Sequence, residues 1–407
     1  MEYGLLGEKL GHSFSPQIHA ALADYDYRLY PTPPEAVEDL FRRRAFKGLN
    51  VTIPYKQTVI PLCDEVDAGA AAIGAVNTVV NRDGKLTGYN TDIDGLVYLA
   101  KRTGVDMAGK KAVILGSGGT SRTARAAARA LGASEVAVIS RHGEDNYENL
   151  SRHGDAQVLI NTTPVGMFPH AGVSPVSLEA FPRLEGVLAV VDNPLRTALV
   201  MEAEKRGLPC SCGLPMLVAQ AKRAAELFAG AAIPDHRLES VIAALTAQVQ
   251  NVVLIGMPGC GKSAVGRTLA RRLGKPFVDL DHLAADRAGK SIPEIFAQEG
   301  EDAFRSLESE LVREAGAQTG CVLSTGGGVV TREENYPPLH QNGVIVHIRR
   351  DIRLLPTAGR PVSQSTDLHA LWRRREPLYH AFADLTVDND STIEGAAAEI
   401  EKELNKA

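Results

Sequence analysis

Short apolar runs, each ended by glycine or a polar turn and followed by a helix-length stretch, repeat along this chain. Runs of that length bounded by turn residues predict buried strands, and their alternation with helical segments predicts parallel βα units. Strands are expected at 3–7, 48–53, 73–80, 111–115, 135–139, 157–161, 186–191, 251–255, 276–281 and 321–325. Ser15 is expected to cap a first helix with Pro16 at its opening position. A helix over 237–249 runs almost directly into strand 251–255, with no Gly/Ser- or Pro-rich tether. A stiff junction is therefore expected before a new βα domain at 250–407. The expected division upstream is a substrate domain at 1–95, completed by helices in about 213–247, and a Rossmann-like domain at 96–212.

Two glycine-rich turns carry the first chemistry. Strand 252–255 runs into Gly256-Met257-Pro258-Gly259-Cys260-Gly261-Lys262-Ser263. This G-x-x-x-x-G-K-S spacing lets consecutive backbone N–H groups wrap a phosphate, with Lys262 on the β/γ-phosphates and Ser263 on Mg²⁺. A glycine turn can also join strand to helix without a ligand; the Lys-Ser pair at the helix start favours the phosphate. The second turn, Gly116-Ser117-Gly118-Gly119-Thr120-Ser121-Arg122, is a dinucleotide turn with its third glycine shifted, a weak signal alone. The next strand ends at Ser140-Arg141, where NAD-specific folds place an acidic residue on the ribose 2′-hydroxyl. An arginine suits a 2′-phosphate, hence NADP, or is simply a solvated charge.

Other polar residues sit at strand ends. Capping explains Ser15 but not Ser13, and two hydroxyls beside a helix N-terminus suit a small carboxylate. Lys56, Asn77 and Asp92 each read alone as a turn residue or cap; a lysine and an aspartate brought together can share protons. Asp279 and Asp281, if both in a strand, share a face, one serving Mg²⁺ through water and one a substrate hydroxyl; helix caps are the alternative. Arg305 and Glu308 share a helix face and can pair, aiming the guanidinium at an anion. Gly326-Gly327-Gly328 permits close backbone approach, and Arg353, Arg360 and Arg373–Arg375 gather basic charge late in the chain.

Composition narrows the partners. The 407 residues are 23% charged and 44% hydrophobic with net charge −5 and pI near 6.2, values that argue against nucleic acid or a membrane surface. Five scattered cysteines, with only Cys210 and Cys212 close together, lack zinc-ligand spacing and read as reduced thiols of a cytoplasmic protein. An apolar leader segment and an apolar run of membrane-spanning length are both absent from the pattern.

On these residues 1 to about 247 resemble shikimate dehydrogenase. The matching motifs are S-F-S at 13–15, N-V-T-I-P-Y-K at 50–56, A-V-N-T at 75–78, N-T-D at 90–92, G-S-G-G-T-S-R, I-N-T-T-P-V-G-M at 160–167 and G-L-P-M-L-V-A-Q-A at 213–221. The resemblance implies NADPH-dependent reduction of 3-dehydroshikimate to shikimate. It assigns the substrate carboxylate to Ser13 and Ser15, the catalytic pair to Lys56 and Asp92, and the ring hydroxyls to Thr52, Asn77 and Gln220. NADP would meet Gly116, Ser117, Gly118, Gly119, Thr120, Ser140, Arg141 and Gly213. Two positions depart from the family pattern: Asp192 replaces a tyrosine beside the nicotinamide, and Ser140 replaces an asparagine.

Residues 250–407 resemble shikimate kinase through G-x-x-x-x-G-K-S, D-L-D, G-E-x-x-F-R-x-x-E, S-T-G-G-G, G-R-P and R-E-P-L-Y. By that match Asp281, Arg305, Gly327, Gly328 and Arg375 bind shikimate. ATP would meet Gly259, Cys260, Gly261, Lys262, Ser263, Ala264, Arg353 and Arg360, with Ser263 and Asp279 supporting Mg²⁺. The stretch after Pro361 is shorter and more polar than the family's lid. The combined expectation is a bifunctional enzyme, monomer or homodimer, for two consecutive steps. Rival readings are an NAD-dependent quinate or shikimate dehydrogenase, or a catalytically weakened first half beside an active kinase.

Overall fold

The computed structural model describes residues 2–11, 13–355 and 367–406; Arg360 and the lid stretch 362–366 lie outside them. Two compact units emerge, 1–193 with 199–245, and 194–198 with 246–407.

The first unit holds two sheets. One has the order β2-β1-β3-β5-β6-β4, built from β1 (Tyr3–Gly7), β2 (Tyr27–Pro31), β3 (Gly48–Val51), β4 (Glu65–Val66), β5 (Thr78–Arg82) and β6 (Lys85–Tyr89). β1 pairs in parallel with β2 and β3, while β5 runs antiparallel to both β3 and β6. The β5–β6 hairpin turns on Asp83-Gly84, both at positive φ, the two-residue turn whose twist matches paired strands.

Two expectations need correction here. The run 73–80 is not one strand: Ile73 closes a helix (Ala68–Ile73), Gly74 caps it at φ 69°, and pairing with β3 begins only at Thr78. An apolar run beside a left-handed glycine is as much a helix end as a strand. Ser15 is the first residue of α1 (Ser15–Leu22) and makes no side-chain cap. Its backbone N–H instead donates to Ser13 Oγ at 3.2 Å, so Ser13 supplies the terminal acceptor.

The second sheet, β11-β10-β9-β7-β8, is parallel throughout. It comprises β7 (Lys111–Leu115), β8 (Glu135–Ile139), β9 (Val158–Asn161), β10 (Gly186–Ala189) and β11 (Cys210–Ser211). Central residues such as Val113, Ile114, Leu159 and Ile160 are fully buried, as a sheet covered on both faces requires. β7 lies between β8 and β9, so a crevice opens at its carboxyl end, where the Gly116 turn begins. Helix Leu214–Ala229 returns to pack on the helix Asp92–Thr103. Their crossing is close: a Cβ on Gly95 would stand 2.7 Å from the Met216 carbonyl oxygen.

The second unit is one parallel sheet of order β13-β14-β12-β15-β16. Its strands are β12 (Asn251–Ile255), β13 (Phe277–Asp279), β14 (Val322–Ser324), β15 (Gly343–Arg349) and β16 (Leu385–Asp388). β12 is the central strand where the winding reverses, and the phosphate loop leaves its carboxyl end. Here the expectation that Asp279 and Asp281 share a strand face fails. β13 stops at Asp279, whose carboxylate caps the helix Leu280–Ala288 by accepting from the N–H groups of Asp281 and His282. Asp281 is thereby carried on a first helical turn.

Candidate active sites

In the first unit, Ser13, Ser15, Thr52, Lys56, Asn77, Asp92 and Gln220 all line one cleft of about 570 Å³, together with Thr120 and Gly213. The centre is an ion pair. Lys56 Nζ stands 2.6 Å from Asp92 Oδ2, and Asn77 Nδ2 donates to Asp92 Oδ1 at 2.9 Å. Each carboxylate oxygen is thus engaged, which fixes the ammonium relative to the cleft. Asn77 is itself immobilised: Nδ2 also donates to Thr91 Oγ1 (3.0 Å), and Oδ1 accepts from the Thr91 N–H (2.7 Å) and Thr78 Oγ1 (3.1 Å). Behind it, Asn50 Nδ2 donates to Thr78 Oγ1 and Tyr27 Oη to Asn50 Oδ1 (3.0 and 2.7 Å). A continuous set of buried hydrogen bonds therefore runs from β2 to the Lys56–Asp92 pair. Asn50, Thr78 and Thr91 belong to motifs already singled out; Tyr27 carried no sequence signal.

Ser13 Oγ donates to Ser15 Oγ at 3.1 Å, setting both hydroxyls together at the start of α1. Gln220 Nε2 rests on the Leu217 carbonyl of its own helix (2.8 Å) and must turn to reach a ligand. Asp192 also lines the cleft, and burial holds its carboxyl above the ordinary carboxylate range. On the cofactor side Gly116 has φ 102°, a conformation that favours glycine, and Gly118 starts the helix Gly119–Ala130 without a side-chain cap. Open space lies over Gly118 and Gly119, leaving the bare helix N-terminus to an anion. Arg141 is exposed at the end of β8, beside Ser140. Gly213 has a packing reason to be glycine, since a Cβ would lie 2.2 Å from the Val190 carbonyl oxygen.

In the second unit, Gly259, Gly261, Lys262, Ser263, Ala264, Asp281, Arg305, Gly327, Gly328 and Arg375 surround a cleft of about 380 Å³, joined by Arg267, Phe296 and Phe304, which the sequence reading did not assign. Cys260 turns its side chain into the core, and Arg353 is exposed and paired with Asp351. Lys262 Nζ rests on the Gly256 and Met257 carbonyls (2.9 and 3.1 Å), so it must leave them to meet a phosphate.

The expected Arg305–Glu308 pair forms, Nη1 to Oε2 at 2.6 Å, both side chains nearly inaccessible. Burial raises the Glu308 carboxyl, with Arg305 opposing that shift. Arg375 is 1% exposed, and only its Nη1 is satisfied among the described residues, by the Gly327 carbonyl at 3.0 Å. Arg305 also meets Glu301, Nη2 to Oε1 at 3.0 Å, so its donors are taken by two carboxylates, while the buried Nε and Nη2 of Arg375 call for an acceptor. Gly327 is sterically required, since a Cβ would fall 2.6 Å from the Pro258 ring; at Gly326 and Gly328 a Cβ would displace the Glu308 carboxylate (2.3 Å) and the Arg305 guanidinium (2.1 Å).

A parallel sheet with a glycine turn beside a Lys–Asp cleft defines the first unit as a dinucleotide-dependent oxidoreductase; a phosphate loop facing buried arginines defines the second as a small-molecule kinase. Family models match at residues 5–79 (shikimate dehydrogenase substrate binding domain) and 258–405 (shikimate kinase). The NADP(+) shikimate dehydrogenase of Clostridium perfringens (strain SM101) is 35% identical over 59% of this chain and 96% of its own length. That of Halothermothrix orenii is 38% identical over 56% and 90%. The chain belongs to the shikimate dehydrogenase family and carries a shikimate kinase domain, a bifunctional shikimate-pathway enzyme using NADP and ATP. Among solved structures, the Thermus thermophilus shikimate 5-dehydrogenase in complex with NADP(H) and shikimate is 32% identical, TM-score 0.55, covering 60% of this chain and 99% of that one. A chorismate mutase/shikimate 5-dehydrogenase fusion from Clostridium acetobutylicum is 32% identical, TM-score 0.57, covering 60% and 96%.

Proposed function

We propose that the first unit reduces 3-dehydroshikimate to shikimate with NADPH and that the second phosphorylates shikimate to shikimate 3-phosphate with ATP and Mg²⁺. The observation that carries this reading is a shared ligand requirement. Each cleft is lined both by groups able to hold an anion (Ser13 and Ser15; Arg305 and Arg375) and by groups able to handle a hydroxyl (Lys56, held by Asp92; Asp281). One hydroxylated carboxylic acid fits both, as product of one site and substrate of the other.

NADPH, held at the Gly116–Gly119 turn, would supply a hydride to the C3 carbonyl carbon. Lys56, held by Asp92, donates a proton or a charged hydrogen bond to the oxygen there, while Thr52 and Gln220 orient the ring. In the kinase, Asp281 orients or deprotonates the 3-hydroxyl, and Lys262, with Arg360, offsets charge on the transferring phosphoryl group. The donor set suits Mg²⁺. Ser263 Oγ lies 3.3 Å from Ser324 Oγ, and Ser324 pairs in register with Asp279. A few hard oxygens, completed by waters and substrate phosphates, are what Mg²⁺ takes. The described residues include no group of three or more His, Cys, Asp or Glu side chains able to cage a metal.

A second reading, NAD-dependent oxidation of quinate or shikimate, draws on likeness to the quinate dehydrogenase of Corynebacterium glutamicum in complex with NAD (26% identical, TM-score 0.56). Arg141 argues against it. The test is a coupled assay of the pure chain with 3-dehydroshikimate, NADPH, ATP and Mg²⁺, following NADPH loss and phosphorylated product together. Absence of either product removes that half of the reading, and a higher kcat/KM with NADH removes the NADPH assignment.

A further inference from the structure

The amides of a phosphate-binding loop can face a ligand only if the intervening carbonyls face into the protein, and a buried carbonyl needs a donor. At Cys260 that donor comes from 129 residues away: Asn389 Nδ2 donates to the Cys260 carbonyl at 2.8 Å. Asn389 is 4% exposed and directly follows β16. Its own position is pinned on both sides. Its backbone N–H donates to the Arg349 carbonyl (2.8 Å), Asp388 takes both Nε and Nη2 of Arg349 (2.5 and 2.8 Å), and Asp390 Oδ1 accepts from the Asp351 N–H (2.8 Å). The loop touches this amide closely. Gly261 has φ 102°, and a Cβ there would lie 2.3 Å from Asn389 Nδ2.

We propose that Asn389 is a positioning residue for nucleotide binding. Its amide fixes the Cys260–Gly261 peptide plane so that the Gly261 N–H of that plane faces the cleft, and it acts on ATP without touching it. The geometry also matters to Lys262, whose ammonium now rests on the Gly256 and Met257 carbonyls. When it leaves them for a phosphate, the Asn389 contact remains to hold the loop open. This inference rests on reading the loop as an ATP site.

The test compares the full-length protein with Asn389→Ala and Asn389→Thr, whose hydroxyl can donate to the same carbonyl. Kinetics with varied ATP and varied shikimate, calorimetric titration with a non-hydrolysable ATP analogue, and dehydrogenase turnover are measured on each. Loss of one buried donor should raise KM for ATP and Kd for the analogue by roughly tenfold in Asn389→Ala. KM for shikimate and dehydrogenase turnover should stay within twofold, and Asn389→Thr should recover much of the loss. An ATP KM within twofold of the parent overturns the proposal. So does equal damage to both kinase substrates with no recovery by threonine, the mark of a purely structural role. If the unmodified protein binds no ATP analogue, the ATP reading itself falls and this inference falls with it.

Discussion

At the level of single residues, the dehydrogenase cleft is organised by what Asp92 cannot do. Both its oxygens are committed, to Lys56 and to Asn77, so it holds the ammonium in place instead of searching for a ligand. Lys56→Ala is expected to lower kcat for 3-dehydroshikimate reduction by about 10²–10⁴ while the kinase rate of the same preparation is unchanged. A stopped assay of both products on one sample checks this, and parallel loss of both activities would mean misfolding. Asp192 makes a different prediction. Its native carboxyl is raised by burial, so the folded protein binds its proton more tightly than the unfolded chain does. Stability is therefore lost as pH rises from the ordinary carboxylate value through the raised one. Asp192→Asn should melt higher than the parent at pH 7, with the difference vanishing below about pH 4. A higher melting temperature for the parent at pH 7 would contradict the burial argument. The same substitution removes a negative charge from the cleft proposed to hold an anionic substrate, so KM for 3-dehydroshikimate should fall at pH 8 and change little at acid pH.

At the level of elements, α1 and β2 bring a histidine into the sheet core. His19 is 1% exposed, stacks on Tyr27 at 3.9 Å, and meets Tyr25 Oη at 2.7 Å. Burial lowers its pKa from 6.5 to about 3, with a side-chain hydrogen bond to Asn50 opposing. Between those values the unfolded chain carries a proton that the native one refuses, so stability falls with pH by up to about 1.4 kcal/mol per unit. His19→Gln should be less stable at pH 7 through lost stacking, by about 1–2 kcal/mol, yet show a shallower decline from pH 6.5 to 4.5 in urea midpoints. An unchanged slope would refute the assignment. The triple glycine offers a sharper steric test: Gly328→Ala drives a Cβ into the Arg305 guanidinium and should raise KM for shikimate at least tenfold, with ATP affinity kept. Element boundaries also show what the chain disclosed in advance. β7, β8 and β12 match the expected strands residue for residue, each a polar residue followed by four apolar ones that the sheet covers wholly in β7 and β12 and partly at the β8 edge. The misreadings at 73–80 and at Asp279–Asp281 share one cause. Local pattern does not say where a strand hands over to a helix, and a cap or a left-handed glycine decides it. Asn389 and Tyr27 stayed invisible because each acts through a partner distant in sequence, Cys260 and Asn50, and His19 because its partners lie on a neighbouring element.

At the level of the whole molecule, two sheets share one logic: a central strand where the winding reverses, a glycine turn at its carboxyl end, and a helix N-terminus without a side-chain cap, suited to an anion. On the proposed reading a shared carbon skeleton joins them, and covalent linkage alone adds no route between the sites. A small hydroxy acid released from one cleft escapes by diffusion far faster than a kinase turns over, at about 1–100 per second. Shikimate made by the first unit should therefore equilibrate with bulk solvent before it is phosphorylated. The comparison is between the intact chain and an equimolar mixture of Lys56→Ala with Asp281→Asn, at equal concentrations of each working site. Steady-state formation of phosphorylated product from 3-dehydroshikimate should agree within about twofold, and both samples should pass through the same lag while free shikimate accumulates. An intact chain that shows no lag, where the mixture shows one, would mean that the linkage passes the intermediate directly.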